Sequence, residues 1–375
     1  MKLGILKEDP GENRVALLPE AVTSLKEQKV EVLVEPGAGD NAYASDKDYE
    51  AAGAEVKSRK EIIANCDMIV KIHPLKKDEM KSIPSGKVFL GAINPFFNKD
   101  LVEVLEKNGV TSFSMDSIPR ISRAQSMDIL SSQATVAGYK AVLAAANELP
   151  HFFPLFMTAA GTIRPAIVLI LGAGVAGLQA IATCRKLGAV VEVFDVRAAV
   201  KEEVKSLGGK FVEVEGAKED LDAGGYAVEQ TEEFKEKQRQ LIHEHSVKSN
   251  VIICTAQIPG KKAPVLLTTK TVEGMKNGSV VIDLAASTGG NCELTKNDET
   301  IMHNGVKIVG NSNFPSEIPS DSSKMFGQNI LNFLKLIINE EGEINLNFED
   351  EIVKGTCITH DKQIVNERVK EVIKS

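Results

Sequence analysis

The sequence predicts an α/β protein with two doubly wound parallel-sheet domains, the first of them discontinuous. Short apolar strands alternate with amphipathic helices along most of the chain, and 375 residues are too many for one ordinary core. An Ala- and Leu-rich helix predicted at 132–149 ends before Pro150 and bridges two such arrays. We therefore assign residues 1–135 and 319–375 to the first domain and residues 136–318 to the second.

The first domain begins with strands and helices in alternation. Strand character is seen in KLGILKE, VEVLVEPG, MIVKIHP, KVFLGAIN and VTSFSMD. Amphipathic spacing predicts helices in EAVTSLKEQ, DKDYEAAGAE and DLVEVLEKNG. Because strands that alternate with helices pair in parallel, this domain is predicted to hold a parallel sheet.

The second domain opens with strand, Gly turn, helix and strand over residues 163–197, and its later strands are VIICTA, SVVIDLA and KIVG. The polar segment 216–242 predicts a long loop that runs into a helix. Residues 322–342 predict a long amphipathic helix, and residues 351–365 predict a strand pair or turn. Since these last elements follow a completed sheet, we expect them to return to the first domain.

Charge and cysteine spacing exclude several classes of function. The net charge is −8 without a basic cluster, which argues against a nucleic-acid partner. The five cysteines have neither CxxC nor zinc spacing, so we expect reduced thiols and no metal site. We find no signal peptide and no apolar run of about 18–20 residues. The protein is therefore expected to be soluble and cytoplasmic.

A glycine fingerprint opens the second domain. Residues 172–177 match GxGxxG, after an apolar strand, before a helix, and with a second strand ending at Asp195. Gly172 permits a tight turn, Gly174 lets a pyrophosphate approach the backbone, and Gly177 lets helix and strand pack closely. The helix N-terminus favours phosphates. This predicts a Rossmann-like dinucleotide site, although a glycine-rich turn that only packs a sheet is the alternative. The turn residues assigned to the cofactor are Gly172, Ala173, Gly174, Val175 and Gly177.

The strand end at Asp195 predicts which dinucleotide is bound. Asp195 would bond the adenosine ribose hydroxyls, and its charge would repel a 2′-phosphate, so NAD(H) is favoured over NADP(H). Arg197 could argue the other way by pairing with a 2′-phosphate. Because the carboxylate comes first at the strand end, we interpret Arg197 as a surface arginine. Val196 lies between the two and is assigned to the site with them.

Two further strand ends are expected at the same edge of the sheet. Ligands of open parallel sheets sit outside the carboxyl ends of the strands, where VIICTA and SVVIDLA end. We expect the residues there near the nicotinamide half of the cofactor, although they could instead only cap strands. They are Thr255, Ala256, Gln257, Asp283 and Leu284.

Few other residues are candidates for acid, base or metal ligand. His243 and His245 resemble a metal pair, but positions i and i+2 of a helix point to different faces, so a solvated helix end is expected. Arg14 and Lys71 could bind an anionic substrate, or they could be surface or structural residues. His73 follows Lys71 at the end of a strand. No nucleophile elbow, P-loop or HExxH motif is present.

A polar segment, PRISRAQSMDILSSQ, contains no His, Cys or Lys that could act as base or nucleophile. The N-terminal ENRVALLPE and the domain layout resemble alanine dehydrogenase. The segments PRISRAQSMDILSSQA, DLDAGGYA, DLAASTGGNCEL, NFPSEIP and GQNILNFL are similar to a narrower group. That group is the NAD(H)-binding component, called domain I or the alpha subunit, of proton-translocating, Re/Si-specific NAD(P) transhydrogenases. The resemblance covers essentially the whole chain.

The resemblance implies roles residue by residue. Arg120 and Asp128 would pair and grip the dihydronicotinamide, and Gln125 would bridge to the partner's nucleotide. Ser131 would fix the carboxamide, whereas Arg123 lies off this register. The mobile loop that closes over the nucleotide is matched by Gly225 and Tyr226.

Two positions depart from the resemblance. Ser287 stands where the family often has a Glu. Alanine dehydrogenases have a catalytic His near the end of a first-domain strand, but FLGAINPFF has none, and Asn94 lies nearby. Since oxidation of an amino acid needs a general base near the amine, this argues against an alanine dehydrogenase. Arg14 and Lys71 would then be relics of that ancestry.

The resemblance implies direct hydride transfer from NADH to NADP⁺ held on a partner, coupled to proton translocation by membrane subunits. Such a reaction depends on placing the reacting atoms about 3–3.5 Å apart and requires no general base in this chain. It implies a homodimer, an NADP(H)-binding beta subunit and a transmembrane subunit. The chain would lie on the cytoplasmic face of the inner membrane, or on the matrix side in a eukaryote. The alternatives are a stand-alone alanine-type dehydrogenase and a non-catalytic NAD(H)-binding regulator.

Overall fold

The computed structural model describes residues 1–213, 231–258 and 260–374, which divide into two compact units. Unit 1 comprises Met1–Gln133 and Pro315–Ser375, and unit 2 comprises Ala134–Phe314. These boundaries fall a few residues before those placed from the sequence. The first one lies inside a continuous helix, which offers no break in sequence to mark it.

Unit 1 begins with a regular alternation of strands and helices. Capping boxes start two of its helices: Ser45 accepts the N–H of Asp48, and Ser58 accepts the N–H of Glu61. The helix after Ser58 was not predicted from the sequence, although its SRKE signature is visible. The elements are β1 (Lys2–Ile5), α1 (Pro19–Glu27), β2 (Glu31–Val34), α2 (Asp46–Ala52), β3 (Glu55–Val56), α3 (Arg59–Asn65), β4 (Met68–Val70), α4 (Lys77–Met80), β5 (Val88–Gly91), α5 (Lys99–Asn108) and β6 (Thr111–Ser114).

Unit 2 follows a long helix that crosses the boundary between the units. After this helix comes an exposed hairpin, and then a second series of strands and helices. The elements are α6 (Ile129–Glu148), β7 (Phe156–Thr158), β8 (Gly161–Ile163), β9 (Ile167–Leu171), α7 (Val175–Lys186), β10 (Val190–Phe194), α8 (Lys201–Ser206), β11 (Lys210–Val212), α9 (Glu232–Ser246), β12 (Val251–Cys254), α10 (Thr269–Glu273), β13 (Val280–Asp283), β14 (Glu299–His303) and β15 (Val306–Gly310).

The C-terminal segment belongs to unit 1. Residues 351–356, for which the sequence predicted a strand or turn, form a helix instead, because Asp350 caps it by accepting the N–H of Ile352. The strand pair follows directly after that helix. The elements are α11 (Pro319–Ile337), α12 (Glu351–Thr356), β16 (Cys357–His360), β17 (Gln363–Ile364) and α13 (Glu367–Lys374).

Each unit is built on one large sheet. Over the described residues, the order in unit 1 is β17-β16-β6-β5-β4-β1-β2-β3, and β16 pairs antiparallel with both β17 and β6. Among the described strands of unit 2 the order is β11-β10-β9-β12-β13-β15-β14, and only β14 is antiparallel. The remaining pairs in these two sheets are parallel, so the predicted α/β class with doubly wound parallel sheets is confirmed.

The sheet of unit 2 is buried on both faces. In β9, Val168 and Ile170 face one hydrophobic cluster, whereas Leu169 and Leu171 face another. This alternation explains why the strand reads as a continuous apolar run. Chain order reverses between β9 and β12, so the carboxyl ends of these two strands form a topological switch point.

In the three described ranges, no helix is both long enough and apolar enough to cross a membrane.

Candidate dinucleotide-binding site

The fingerprint turn follows β9 at the switch point of unit 2. Gly172 has a φ of +107°, in the region that favours glycine. A Cβ on it would lie 2.6 Å from Thr255 Oγ1, which itself donates to the Gly172 carbonyl oxygen over 2.9 Å. Glycine is therefore required at position 172 both by the backbone conformation and by the close contact with Thr255 at the end of β12.

The other two glycines of the turn differ in what surrounds them. A Cβ on Gly177 would lie 2.0 Å from the Gly172 carbonyl oxygen, so this glycine lets α7 pack against the turn. A Cβ on exposed Gly174 would meet no described atom within 4 Å, apart from its chain neighbours. No contact among the described residues therefore requires glycine at 174, and the position is open to close approach of a ligand.

The N-terminus of α7 faces the same open space. Gly174 is its N-cap residue, no described side chain caps it, and its first turn has no acidic residue. The first N–H groups of a helix have no partner within the helix and carry partial positive charge. This end of α7 can therefore bind an oxyanion such as a pyrophosphate.

Asp195 follows β10 and is held by backbone and side chain together. Its Oδ2 accepts from the N–H of Ala173 and from Arg197 Nη2, each over 2.7 Å. Its Oδ1 accepts from the N–H and the Nε of Arg197, each over 2.9 Å. Arg197 is thus a half-buried partner of Asp195, not the free surface side chain expected from the sequence. Val196 between them is half-buried.

The end of β12 braces the fingerprint turn and the end of β13. Thr255 contacts Gly172 as described above. The Gln257 side chain is exposed overall, and its Nε2 donates to the carbonyl oxygen of buried Leu284 over 3.0 Å. The two strand ends that the sequence assigned to one edge are therefore joined by a hydrogen bond.

Asp283 is fully buried at the end of β13 and bonds only to the loop that follows, among the contacts described. Its carboxylate accepts from the N–H groups of Ala285 (2.9 Å), Asn291 (2.8 Å) and Cys292 (3.0 Å). It also accepts from Thr295 Oγ1 over 2.7 Å. Asp283 therefore fixes the shape of residues 284–295, and its carboxylate is covered by them.

Asn291 is a positioning residue that was not predicted from the sequence. Its Nδ2 donates to the carbonyl oxygens of Ala256 and Pro264, each over 2.8 Å, and its Oδ1 accepts the N–H of Ala256 over 3.0 Å. The sequence signal that could have identified Asn291 is its place directly after the Gly289–Gly290 pair. Both glycines have positive φ in the structure. Ser287, at the position of the departure, is exposed, and its N–H donates to Ser312 Oγ.

The loop of residues 119–131 lies in unit 1. Arg120 and Gln125 are exposed, whereas Ala124 and Met127 are buried and anchor the 3₁₀ turn Ser122–Met127. Asp128 caps α6: its carboxylate accepts from the N–H of Ser131 over 3.0 Å and from the hydroxyl of Ser131 over 2.6 Å. The structure thus brings together the two residues that the resemblance assigned to adjacent parts of the nicotinamide.

Side chains of the C-terminal segment hold this loop at two points, the Arg123 side chain and the Ser126 carbonyl oxygen. Arg123 donates to both carboxylate oxygens of Asp350, over 2.7 and 2.8 Å, and this hydrogen bonding holds the pKa of Asp350 below its usual range. Asn329 of α11, which is buried, donates to the Ser126 carbonyl oxygen over 2.8 Å. Half-buried Asn332 donates to the same oxygen over 3.1 Å.

Arg14 and Lys71, the two candidates for binding an anionic substrate, lie in a buried ionic cluster. Lys71 donates to Glu8 over 2.8 Å, and Arg14 donates to both oxygens of Glu12 over 2.8 and 2.6 Å. His73 lies 2.9 Å from the same carboxylate. Burial opposes ionisation of Glu12, yet its bonds to Arg14 and His73 prevail and hold its pKa well below the usual range. Any anionic substrate would compete here with two resident carboxylates.

His243 and His245 do not form a metal site with each other. His243 contacts Thr271 Oγ1 over 3.1 Å and His245 contacts Glu192 over 2.6 Å, so the rings point to different partners. Both rings are half-buried, which corrects the expectation of a solvated helix end. The described residues contain no group of His, Cys, Asp and Glu suited to a metal ion. Gly225 and Tyr226 lie outside the described residues.

Comparison with known proteins identifies the family. The N-terminal domain model of alanine dehydrogenase/PNT matches residues 4–137, and the C-terminal domain model matches residues 141–367. The chain is 48% identical to the first part of NAD(P) transhydrogenase subunit alpha from Rhodospirillum rubrum, covering 98% of both chains. It is 42% identical to the protein of that name from Rickettsia prowazekii, covering 100% of this chain and 99% of the relative.

A solved structure agrees with these matches. The crystal structure of transhydrogenase from Sinorhizobium meliloti superposes with a TM-score of 0.89 at 42% identity, and the match covers 97% of this chain and all of that one. Sequence and fold therefore give the same assignment over the full length. The chain belongs to the alanine dehydrogenase/PNT family.

Proposed function

We propose that this chain binds NAD(H) at the fingerprint of unit 2 and provides the NAD(H) half of a transhydrogenase reaction. The observation that carries the proposal is the glycine turn 172–177. Gly172 and Gly177 are required by the fold, whereas Gly174 is open above a helix N-terminus that no described side chain caps. Such a turn fits the pyrophosphate of a dinucleotide. The names of the relatives, NAD(P) transhydrogenase subunit alpha, support the reaction.

The proposed reaction moves a hydride directly between two nicotinamides. The C4–H bond of NADH breaks, and the hydrogen leaves with both electrons to form a C4–H bond on NADP⁺ held by a partner. NADH is thereby oxidised to NAD⁺, NADP⁺ is reduced to NADPH, and no proton is released. The chain's task is then to hold and orient one ring and to exclude water from it.

The loop 119–131 is proposed to perform that orientation. Exposed Gln125 would bridge to the partner's nucleotide, and exposed Arg120 would act with Asp128 at the dihydronicotinamide. The bond between Asp128 and Ser131 supports a shared role, because a carboxylate that caps a helix is fixed in position. Ser131 would then meet the carboxamide.

The relatives' designation as an alpha subunit also supports partner subunits. We propose an NADP(H)-binding beta subunit and a transmembrane subunit that couples the reaction to proton translocation. The chain would sit on the cytoplasmic side of the inner membrane through these partners. A homodimer is supported by the hairpin β7–β8, where Phe156, Met157 and Ile163 are 40%, 73% and 47% exposed.

The decisive experiment mixes the purified chain with a purified NADP(H)-binding beta subunit and follows reduction of an NAD⁺ analogue by NADPH. Hydride transfer that requires both proteins supports the proposal. Gln125→Asn should lower the rate sharply with little loss of NADH affinity, because the shortened side chain cannot bridge. Reduction of NAD⁺ by alanine without any partner would instead identify an amino-acid dehydrogenase. NADH binding without hydride transfer in the mixture would identify a regulator.

A further inference from the structure

The Asp195 carboxylate has no acceptor position left for a ribose hydroxyl. An ionised carboxylate offers about four lone-pair positions. Four N–H donors occupy them, one from Ala173 and three from Arg197, at 2.7 to 2.9 Å. The Asp195 side chain is only 6% exposed, and that of Arg197 is 27% exposed. In this arrangement the positive charge of Arg197 balances the negative charge of the Asp195 carboxylate, and all the lone-pair positions of the carboxylate accept hydrogen bonds.

We propose that Arg197 competes with the adenosine ribose for Asp195, and that this pair, not Asp195 alone, sets the preference between NAD(H) and NADP(H). The inference rests on the proposed function, in which the fingerprint binds NAD(H). For the ribose to bind, the guanidinium must release at least one carboxylate position to a hydroxyl. The backbone donors of Ala173 and Arg197 are part of the turn and stay in place.

The same contacts describe a latent phosphate site. The donors of Ala173 and Arg197 converge on one anion, and the resident anion is the Asp195 side chain. A 2′-phosphate meets this position filled by a group of like charge. With a short neutral side chain at 195, the same donors would no longer bond to the Asp195 carboxylate, and a guanidinium binds phosphate oxygens bidentately. One substitution should therefore turn rejection of NADP(H) into binding.

A matched control lies on the same strand. Glu192 of β10 is 15% exposed in its side chain and pairs with Lys210 and His245, over 3.1 and 2.6 Å. It touches neither Asp195 nor Arg197 among the contacts described. Glu192→Gln removes the same charge from unit 2 without altering the fingerprint turn. It therefore separates a general loss of negative charge from the specific loss of the Asp195–Arg197 pair.

The test is calorimetric titration of the full chain with NADH and NADPH. Arg197→Met should tighten NADH binding by about tenfold, because the ribose hydroxyl would no longer compete with the guanidinium for Asp195. A tenfold change corresponds to about one charge-assisted hydrogen bond. Asp195→Ser should weaken NADH binding and tighten NADPH binding by about tenfold or more. The gain for NADPH should vanish in the Asp195→Ser/Arg197→Met double variant. Glu192→Gln should leave the ratio of the two affinities unchanged.

Several results would overturn the inference. Weaker NADH binding by Arg197→Met with an unchanged affinity ratio would make Arg197 merely structural. A folded Asp195→Ser variant, judged by its melting temperature, that still rejects both NADPH and the fragment 2′,5′-ADP would exclude the latent phosphate site. In both cases wild-type binding of NADH leaves the proposed function standing. A wild-type chain that binds neither dinucleotide would contradict the proposed function itself.

Discussion

The fingerprint turn of unit 2 and the loop 119–131 of unit 1 hold their functional groups in opposite ways. The turn is fixed by backbone: Gly172 and Gly177 are demanded by contacts within a few residues or with the next strand end. The loop is fixed by side chains from distant segments, namely Asn329 and Asp350. A site built from backbone tolerates few substitutions but needs little support, whereas a site built from tethers fails when any tether is lost.

Substitution of a residue that holds the loop 119–131 should therefore lower hydride transfer, even when that residue touches no substrate. Asn329→Leu removes the buried donor to the Ser126 carbonyl oxygen and should displace Gln125 and Asp128. A displacement of about 1 Å costs about a hundredfold in rate, so we expect hydride transfer to fall by that factor. NADH affinity, measured by titration, should change far less because the fingerprint is untouched. Transfer rates in the mixture with the beta subunit check this.

Asn332 supplies the matched control for that tether. It donates to the same Ser126 oxygen, but it is less buried than Asn329 and its bond is longer, at 3.1 Å. Asn332→Leu should therefore lower the transfer rate much less than Asn329→Leu does. Equal effects of the two variants, or no effect of either, would contradict the idea that a buried tether positions the loop.

The turn should respond in the reverse sense, with binding lost and the fold kept. Gly174→Ala places a Cβ where no described atom beyond its chain neighbours lies within 4 Å, so the melting temperature should stay close to the wild-type value. The Cβ would obstruct the approach of the pyrophosphate. Loss of about 2 kcal/mol of charge-assisted hydrogen bonding corresponds to about thirtyfold weaker NADH binding. Titration and thermal unfolding of one preparation measure both quantities.

Gly177→Ala is the control within the same turn. Its Cβ would lie 2.0 Å from a backbone oxygen, so the turn must shift and the melting temperature should fall. If Gly174→Ala lowers the melting temperature as much as Gly177→Ala does, the open position above α7 is structural and not a ligand site.

The same difference between the turn and the loop determines how much of each could be predicted from the sequence. The turn could be predicted because its demands are local: strand, glycine spacing, helix and a carboxylate at the next strand end. The tethers could not be, since Arg123 and Asp350 lie 227 residues apart and Ser126 and Asn329 lie 203 apart. Pattern alone does not pair such residues. The roles of the loop residues were assigned from the resemblance to a known family. Such a resemblance implies what a residue does, but it does not show which contacts hold that residue in place.

Some errors were local and show where patterns mislead. The sequence predicts a strand pair or turn over residues 351–365, yet Asp350 caps a short helix at the start of that segment. From the sequence, Arg197 is expected on the surface because the carboxylate comes first at the strand end, but order along the chain does not show whether residues i and i+2 pair. The structure pairs it with Asp195 through three of its donors.

The smallest expected effect concerns the exposed tether, and it depends on pH. Hydrogen bonding to Arg123 lowers the pKa of Asp350 in the folded protein. The pair therefore contributes fully above the ordinary aspartate pKa, about 3.9, and the contribution is lost as pH falls through the lowered folded value. Asp350→Asn should remove this dependence and lower hydride transfer less than Asn329→Leu does, because Arg123 is half exposed and screened by water. Thermal unfolding of both forms from pH 7 down to about pH 3 measures the difference. Parallel curves for the two proteins would mean that the Arg123–Asp350 pair contributes nothing to folding and that the loop depends on the contacts with the Ser126 carbonyl oxygen.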